Sequence, residues 1–266
     1  MIKHLVTSGC SFTDNCFNKK RWPHFLSEIS GWSLYNRGHG SAGNSWISKS
    51  IIYQTQTLLN LGIHPSEILV MAMWSGIDRK DLFITSREDV MFNKLLNSSY
   101  PNPINFLDDI PNNTSSKNKI DGYLLGAASC KFDNTNINVF KQELVLNYFS
   151  QEALAIESYE NFLRLQWFCD SKGIRLINQT FKDIMHYPDY KDKILTSNYF
   201  RNIKHLYEMI DFDKWLFWKD YNGLYEYTRD ISMMFDSDGY HPSVEGHQYY
   251  VKNYLITELE QKNIYF

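Results

Sequence analysis

The chain has 266 residues and a formal net charge of -3, with Lys and Arg scattered rather than gathered into a basic stripe. This distribution argues against a nucleic-acid partner. No apolar run approaches the ~20 residues that span a bilayer, and the N-terminus lacks a charged segment leading into an apolar one. We therefore expect a soluble, cytoplasmic protein, and a single domain because no linker divides the chain.

The residue types that bind metals and cofactors show no recognisable spacing. The 4 cysteines contain no CxxC pair, which predicts free thiols in a reducing compartment. The histidines are not paired as metal ligands, so no metal is expected. The glycine-rich stretch Gly38–Gly43 lacks both the dinucleotide fingerprint and the lysine of a phosphate-binding loop. No cofactor is implied.

The N-terminal half predicts alternating strands and helices. Leu5 and Val6 begin a first strand, and Ser33–Asn36 a second. Between them, apolar residues recur at helical spacing on one face: Trp22, Phe25, Leu26 and Ile29. A second helix should begin with Asn44 and Ser45 as caps and end at Gly62. The apolar run within Glu67–Met73 is typical of a central parallel strand buried on both faces.

Residues from about 80 to 150 lack a regular pattern and contain Asn-rich patches. We interpret this segment as an irregular insertion or cap. Regular elements then return, beginning with a helix over Gln151–Lys172 that ends at Gly173. Its apolar face presents Leu154, Tyr159, Phe162, Leu163 and then Trp167. A strand over Ile174–Gln179, a helix around Ser197–Ile210, a short strand within Trp215–Trp218 and a last helix from near Ser243 follow. Such alternation favours an α/β fold with a parallel sheet.

Two short segments near opposite ends of the chain carry the candidate chemistry. Ser11 follows the first strand in a turn, and Asp238 precedes His241 by three positions ahead of the last helix. A serine hydroxyl is a weak nucleophile until an imidazole takes its proton, and a carboxylate fixes the tautomer of that imidazole. If the two ends meet, these residues predict nucleophilic acyl transfer. Cys10 is a weaker candidate nucleophile, since neighbours in an extended segment point in opposite directions.

These motifs resemble those of the SGNH (GDSL-like) hydrolase superfamily. Gly9–Thr13 is similar to the first block of that family, with Cys10 in place of the usual aspartate, and Trp22-Pro23 is a frequent feature of the helix that follows. Asn36–Ser45 resembles the second block, and the pattern Asp238, His241, Pro242 and Gly246 resembles the fifth. The resemblance implies a three-layer α/β/α, flavodoxin-like domain with about five parallel strands.

The resemblance also implies donors for an oxyanion hole. They would be the backbone N–H groups of Ser11 and Gly43, with Gly40 as the alternative to Gly43. The third block departs from the family, because Asp78 stands where an asparagine side chain donates. An ionised carboxylate accepts hydrogen bonds and cannot donate one, and losing one donor costs ~10²–10³ in rate.

Four readings of Asp78 are open. Its carboxyl group is protonated, or it pairs with Arg79 and turns away, or a substitute such as Ser75 or Asn44 donates, or catalysis has been lost. The sequence does not choose among them.

The leading hypothesis is a serine hydrolase that cleaves a small acyl ester, such as a carbohydrate O-acetyl group, through an acyl-enzyme on Ser11. His241 would act as base and Asp238 would orient it. One alternative is an O-acyltransferase acting on a glycan. Another is a catalytically inactive glycan-binding or scaffold protein, because a fold by itself does not establish activity. Substrate choice would reside in the insertion.

Overall fold

The computed structural model describes residues 1–14, 19–77, 79–84, 122–124, 150–185, 198–231 and 235–266. Seven strands lie in these ranges: β1 (His4–Gly9), β2 (Ser33–Asn36), β3 (Ile68–Trp74), β4 (Leu82–Ile84), β5 (Gly122–Leu124), β6 (Arg175–Thr180) and β7 (Trp215–Leu216). Five of them form one sheet in the order β2-β1-β3-β6-β7, and every pairing in it is parallel. The predicted parallel sheet is confirmed.

Helices cover both faces of this sheet. They are α1 (Trp22–Ser30), α2 (Asn44–Asn60), α3 (Gln151–Lys172), α4 (Asn198–Glu208), α5 (Leu224–Asp230), α6 (Val244–Tyr250) and α7 (Ile256–Gln261), with a π-helical turn (Val251–Leu255) joining the last two. Helix α2 packs on β1, β3 and α3, while α1 packs on β2 and α6. The result is the three-layer α/β/α arrangement with the flavodoxin-like strand order.

The apolar patterns place the core correctly in most elements. All seven residues of β3 are buried, as a strand covered by helices on both faces requires. Helix α3 has the predicted bounds, and its C-cap Gly173 adopts the left-handed φ of 68° that glycine tolerates. Two predictions were wrong: Ile29 and Trp167 are 42% and 54% exposed. Helical spacing identifies the apolar face of a helix, but it does not show how far along the helix the neighbouring elements cover that face.

Most of the predicted insertion at about 80–150 lies outside the described residues. Within it, β4 and β5 pair antiparallel, with Phe83 opposite Tyr123. None of the helices in the described ranges combines the length and apolarity that crossing a membrane requires.

Candidate active site

Ser11 lies in a tight turn that directly follows the central strand β1. The carbonyl of Cys10 accepts hydrogen bonds from the N–H groups of Thr13 and Asp14, at 2.8 and 3.0 Å. Gly9 leaves room for this turn, because a Cβ there would come within 2.2 Å of Thr13 Oγ1. The turn leaves Ser11 partly exposed and buries Cys10 completely, as predicted.

The loop before α6 holds the candidate base. Gly239 takes a left-handed φ of 68°, and Asp238 Oδ1 accepts the backbone N–H groups of Tyr240 and His241 at 2.9 Å each. This local pattern is the one that makes aspartate common in turns. Ser243 then caps α6 by accepting the N–H of Gly246.

The two ends of the chain meet at the carboxyl edge of the sheet. Ser11 Oγ lies 2.7 Å from His241 Nε2, and His241 Nδ1 lies 2.5 Å from Asp238 Oδ2. In open α/β sheets this edge is where ligands bind, and β1 and β3 flank the point at which the strand order reverses. The geometry is that of a hydroxyl, an imidazole that can take its proton and a carboxylate that fixes the tautomer of the imidazole.

Asp238 stays ionised over the working pH range. Partial burial alone would raise its pKa, but the hydrogen bonds from the Tyr240 N–H, the His241 ring and the His241 N–H outweigh burial and lower the pKa to about 2. A carboxylate in this state accepts the Nδ1 proton of His241 and leaves Nε2 free to accept one from Ser11.

Aromatic rings surround the base. Phe12 lies 5.1 Å from the His241 ring, 5.2 Å from Phe181 and 5.7 Å from Tyr240, measured between ring centroids. Burial raises the pKa of Tyr240 to about 12, so its hydroxyl keeps its proton. The Arg79 guanidinium lies 5.5 Å from the Phe181 ring centroid. These rings carry no motif of their own, and the signal for two of them is adjacency, since Phe12 follows Ser11 and Tyr240 precedes His241.

Gly43 does not have the geometry predicted for an oxyanion donor. Its N–H donates to Asp81 Oδ1 at 2.8 Å, and the Trp46 N–H donates to Asp81 Oδ2 at 2.7 Å. Gly43 is itself the N-cap of α2 and has no side chain to cap it, so the buried Asp81 carboxylate satisfies the first turn instead. A Cβ on Gly43 would lie 2.8 Å from both Asp81 oxygens. The predicted caps Asn44 and Ser45 lie inside the helix.

Gly40, the alternative donor, is also engaged. Its N–H donates to Asp14 Oδ2 at 2.7 Å. The next residue, Ser41, has a left-handed φ of 66° in a turn closed by the Ala42 N–H and the His39 carbonyl at 3.0 Å. In the described part of the chain, the N–H groups of Ser41 and Ser11 have no acceptor.

Asp78 lies outside the described residues. The proposed substitute Asn44 is engaged through both amide hydrogens, with the Ser75 carbonyl at 3.2 Å and Ser158 Oγ at 3.0 Å. Ser75 Oγ is buried and has no partner among the described residues. Of the two substitutes considered, only Ser75 has a donor to spare.

The described residues contain no cluster of three or more His, Cys, Asp and Glu that could hold a metal ion. His241 uses both ring nitrogens within the triad. His247 is completely buried on α6, and neither of its ring nitrogens has a partner in the described ranges. Burial lowers the pKa of His247 well below its usual value, so the ring is neutral.

Comparison with known proteins adds little to this picture. No protein-family model matches the chain, and no curated protein matches it. Among solved structures, the crystal structure of protein YxiM from Bacillus subtilis is similar, with a TM-score of 0.45 and 13% sequence identity. The alignment covers 99% of this chain and 58% of that one, so the chain spans less than two thirds of that protein. Function has to be argued from the site itself.

Proposed function

We propose that the protein is a serine esterase of the SGNH type, which cleaves a small acyl ester through an acyl-enzyme on Ser11. The observation that carries this proposal is the continuous pair of contacts from Ser11 Oγ to His241 Nε2, at 2.7 Å, and from His241 Nδ1 to Asp238 Oδ2, at 2.5 Å. Residues 230 positions apart in the chain meet at hydrogen-bonding distance, and packing alone does not require that order of groups.

The proposed reaction has two halves. Ser11 Oγ attacks the ester carbonyl while His241 Nε2 takes its proton, and the resulting imidazolium is stabilised by the ionised Asp238. His241 then gives the proton to the departing alcohol, which leaves an acyl group on Ser11. A water molecule, deprotonated by the same nitrogen, then attacks the acyl carbon. His241 returns this proton to Ser11 Oγ as the bond between Oγ and the acyl carbon breaks, and the acid leaves.

The negative charge on the tetrahedral oxygen needs donors, and we propose the N–H groups of Ser11 and Ser41. The loop that carries Ser41 docks against the serine turn from two sides, because the His39 N–H donates to the Gly9 carbonyl at 2.9 Å and the Gly40 N–H donates to Asp14. A serine held at a φ of 66° is strained, and such strain is concentrated at functional sites. This proposal replaces Gly43 as the second donor.

The engagement of both glycine amides favours one competing candidate, a protein that binds glycans without cleaving esters. If Asp81 and Asp14 hold the amides that should stabilise the oxyanion, the triad geometry would survive without the rate enhancement that the oxyanion hole supplies. Tyr240, the partly exposed ring beside His241, suits the stacking of a sugar ring equally well in a binding protein and in an enzyme.

The test is the rate of p-nitrophenyl acetate hydrolysis by the wild-type protein, Ser11→Ala and a control, Ser33→Ala, in which the exposed serine that starts β2 is replaced. We expect Ser11→Ala to lose at least about 10³-fold in kcat/KM and the control to retain wild-type turnover. Equal background rates in all three proteins would reject the esterase, and glycan binding measured by calorimetry would then support the competing candidate.

A further inference from the structure

A buried arginine lies behind the loop that carries the candidate base. The side chain of Arg21, the N-cap residue of α1, is 4% exposed. Its Nη1 donates to the carbonyl of Pro242 at 2.9 Å and lies 3.6 Å from Asp236 Oδ2. Pro242 directly follows His241, so this guanidinium contacts the backbone immediately beyond the base.

Asp236, which precedes His241 in the same loop, links Arg21 to the backbone of the histidine. Its N–H donates to the carbonyl of His241 at 2.7 Å, and its own carbonyl accepts the N–H of Gly239 at 2.9 Å. Lys19 Nζ lies 3.0 Å from the second carboxylate oxygen, Asp236 Oδ1. Arg21 therefore donates to the carbonyl of Pro242, and the Asp236 N–H donates to the carbonyl of His241.

The same turn of α1 also contacts Thr13, two residues beyond the serine. Trp22, next to Arg21, donates through its indole N–H to Thr13 Oγ1 at 3.2 Å, and both side chains are buried. Thr13 closes the turn that presents Ser11. One dipeptide, Arg21-Trp22, thus joins the segment that carries the nucleophile to the segment that carries the base.

The loop that carries the base is partly open to solvent, because the side chains of His241 and Asp238 are 27% and 49% exposed. Of the Arg21 donors, Nη1 is engaged and Nε has no partner among the described residues, so the contacts of Nη1 offset only part of the cost of burying the guanidinium. Removing Arg21 would leave, within the described ranges, the Pro242 carbonyl without its donor and the Asp236 carboxylate paired with Lys19 alone. The loop would then be free to shift away from Ser11.

We propose that Arg21 is a positioning residue that fixes the backbone on both sides of His241 and so holds Nε2 within hydrogen-bonding distance of Ser11. The inference rests on the proposed esterase function, which it deepens. Arg21 does not touch the substrate, and it acts only through His241. Its loss should lower kcat and leave KM nearly unchanged, because positioning a base matters in the transition state rather than in substrate binding.

The experiment compares Arg21→Met, which keeps the stem and removes the guanidinium, with Arg21→Lys, which keeps the charge. The matched control is Arg175→Met, because Arg175 Nη1 also donates to a backbone carbonyl, that of Asn263, at the opposite edge of the sheet. With p-nitrophenyl acetate we expect Arg21→Met to lose about 10- to 100-fold in kcat with KM within about twofold, Arg21→Lys to recover part of the loss, and the control to match wild type.

A second measurement does not depend on activity. The proton on His241 Nδ1, held in the short contact with Asp238, should give a strongly deshielded proton NMR signal in the wild type and in Ser11→Ala. We expect this signal to disappear through exchange with water in Arg21→Met and to persist in Arg175→Met. Asp236→Asn, which keeps the backbone contacts of residue 236, should weaken the signal without removing it and serves if Arg21→Met does not fold.

The two hypotheses fail in different ways. A wild-type protein without Ser11-dependent turnover rejects the esterase, while the NMR signal still tests the positioning role. Retention of the signal in Arg21→Met overturns that role, as does its equal loss in Arg175→Met, which would indicate a general loosening of the fold.

Discussion

The triad and the glycine loop lie at the same edge of the sheet, yet their polar groups are directed differently. Ser11, His241 and Asp238 are directed at one another, with contacts of 2.7 and 2.5 Å. In the glycine loop, the N–H groups of Gly43 and Gly40 are directed at buried carboxylates, at 2.8 and 2.7 Å. The first arrangement has the order of groups that a proton transfer requires, whereas the second uses its backbone N–H groups within the fold.

The difference follows from the kind of group involved. A triad requires particular side chains, so its members can be recognised by residue type. An oxyanion donor is a backbone N–H, which every residue except proline possesses. Position 43 requires a glycine because the Asp81 carboxylate occupies the space that a Cβ would need. A glycine in such a loop therefore indicates that another group packs closely on the backbone, and it does not by itself identify a catalytic donor.

Replacing Asp238 by Asn would break the triad side of the comparison and should have the largest effect. The amide can donate to Nδ1 and thereby favour the tautomer in which Nε2 already carries its proton, so that His241 no longer accepts one from Ser11. We expect kcat/KM for p-nitrophenyl acetate to fall by about 10²–10⁴-fold. Asp170→Asn, which changes an exposed ion pair with Lys214, is the control. A loss below about threefold would show that the carboxylate does not orient the base.

Replacing Asp81 by Asn tests the role of the glycine loop. The amide can accept only one of the two N–H groups at the start of α2, so we expect the free energy of unfolding to fall by about 1–3 kcal/mol in urea titrations. Turnover should change by less than about twofold, since the Gly43 N–H belongs to the helix cap. A rise in kcat would contradict this assignment and identify Gly43 as a donor that Asp81 withholds.

Mild acid should lower the stability of the folded protein through His247, the buried histidine of α6. Burial, and then the charges of Arg21, His241 and His24, lower the pKa of His247. The unfolded chain therefore binds a proton near the ordinary histidine pKa of about 6.5 that the folded chain does not bind. The stability this contributes is fully present above that pH and is lost as the pH falls below it.

Urea unfolding of wild type and His247→Met at about pH 8 and pH 5 would measure this pH-dependent contribution of His247 to the free energy of unfolding. Asp238 does not interfere, because its pKa is lowered from 3.8 to about 2 and its contribution is lost only in stronger acid. We expect the wild type to lose more stability than His247→Met over this interval. An equal loss in both would show that His247 does not carry the effect.

Replacing Ser41 by Gly should give the smallest effect. Glycine adopts a φ of 66° without the strain that serine bears, so we expect a stabilisation of about 0.5–1 kcal/mol. Because the backbone N–H is kept, kcat should be unchanged. Ser33→Gly, in a β-strand, should instead lose stability. A tenfold fall in kcat in Ser41→Gly would show that the serine side chain, and not only its N–H, contributes to the reaction.

Much of the fold was predictable because its signals are local. The buried strand β3, the bounds of α3 and the start of α6 at Ser243 follow from apolar periodicity and capping chemistry. The exposure of Trp167 was not predictable, since it depends on where the neighbouring surface ends. The cap of α2 was also missed, because its carboxylate comes from Asp81, which lies 35 positions beyond Trp46 in the chain.

The sequence by itself determined the parallel α/β architecture and marked Ser11, His241 and Asp238 as candidates to meet, because strand and helix periodicity and side-chain chemistry are encoded in short segments. Only the tertiary structure decided that Ser11 and His241 meet, that Arg21 contacts the loop that carries His241, and that Asp81 and Asp14 engage the glycine amides. These contacts join residues far apart in the chain, and their distances are set by how the layers pack rather than by any local pattern.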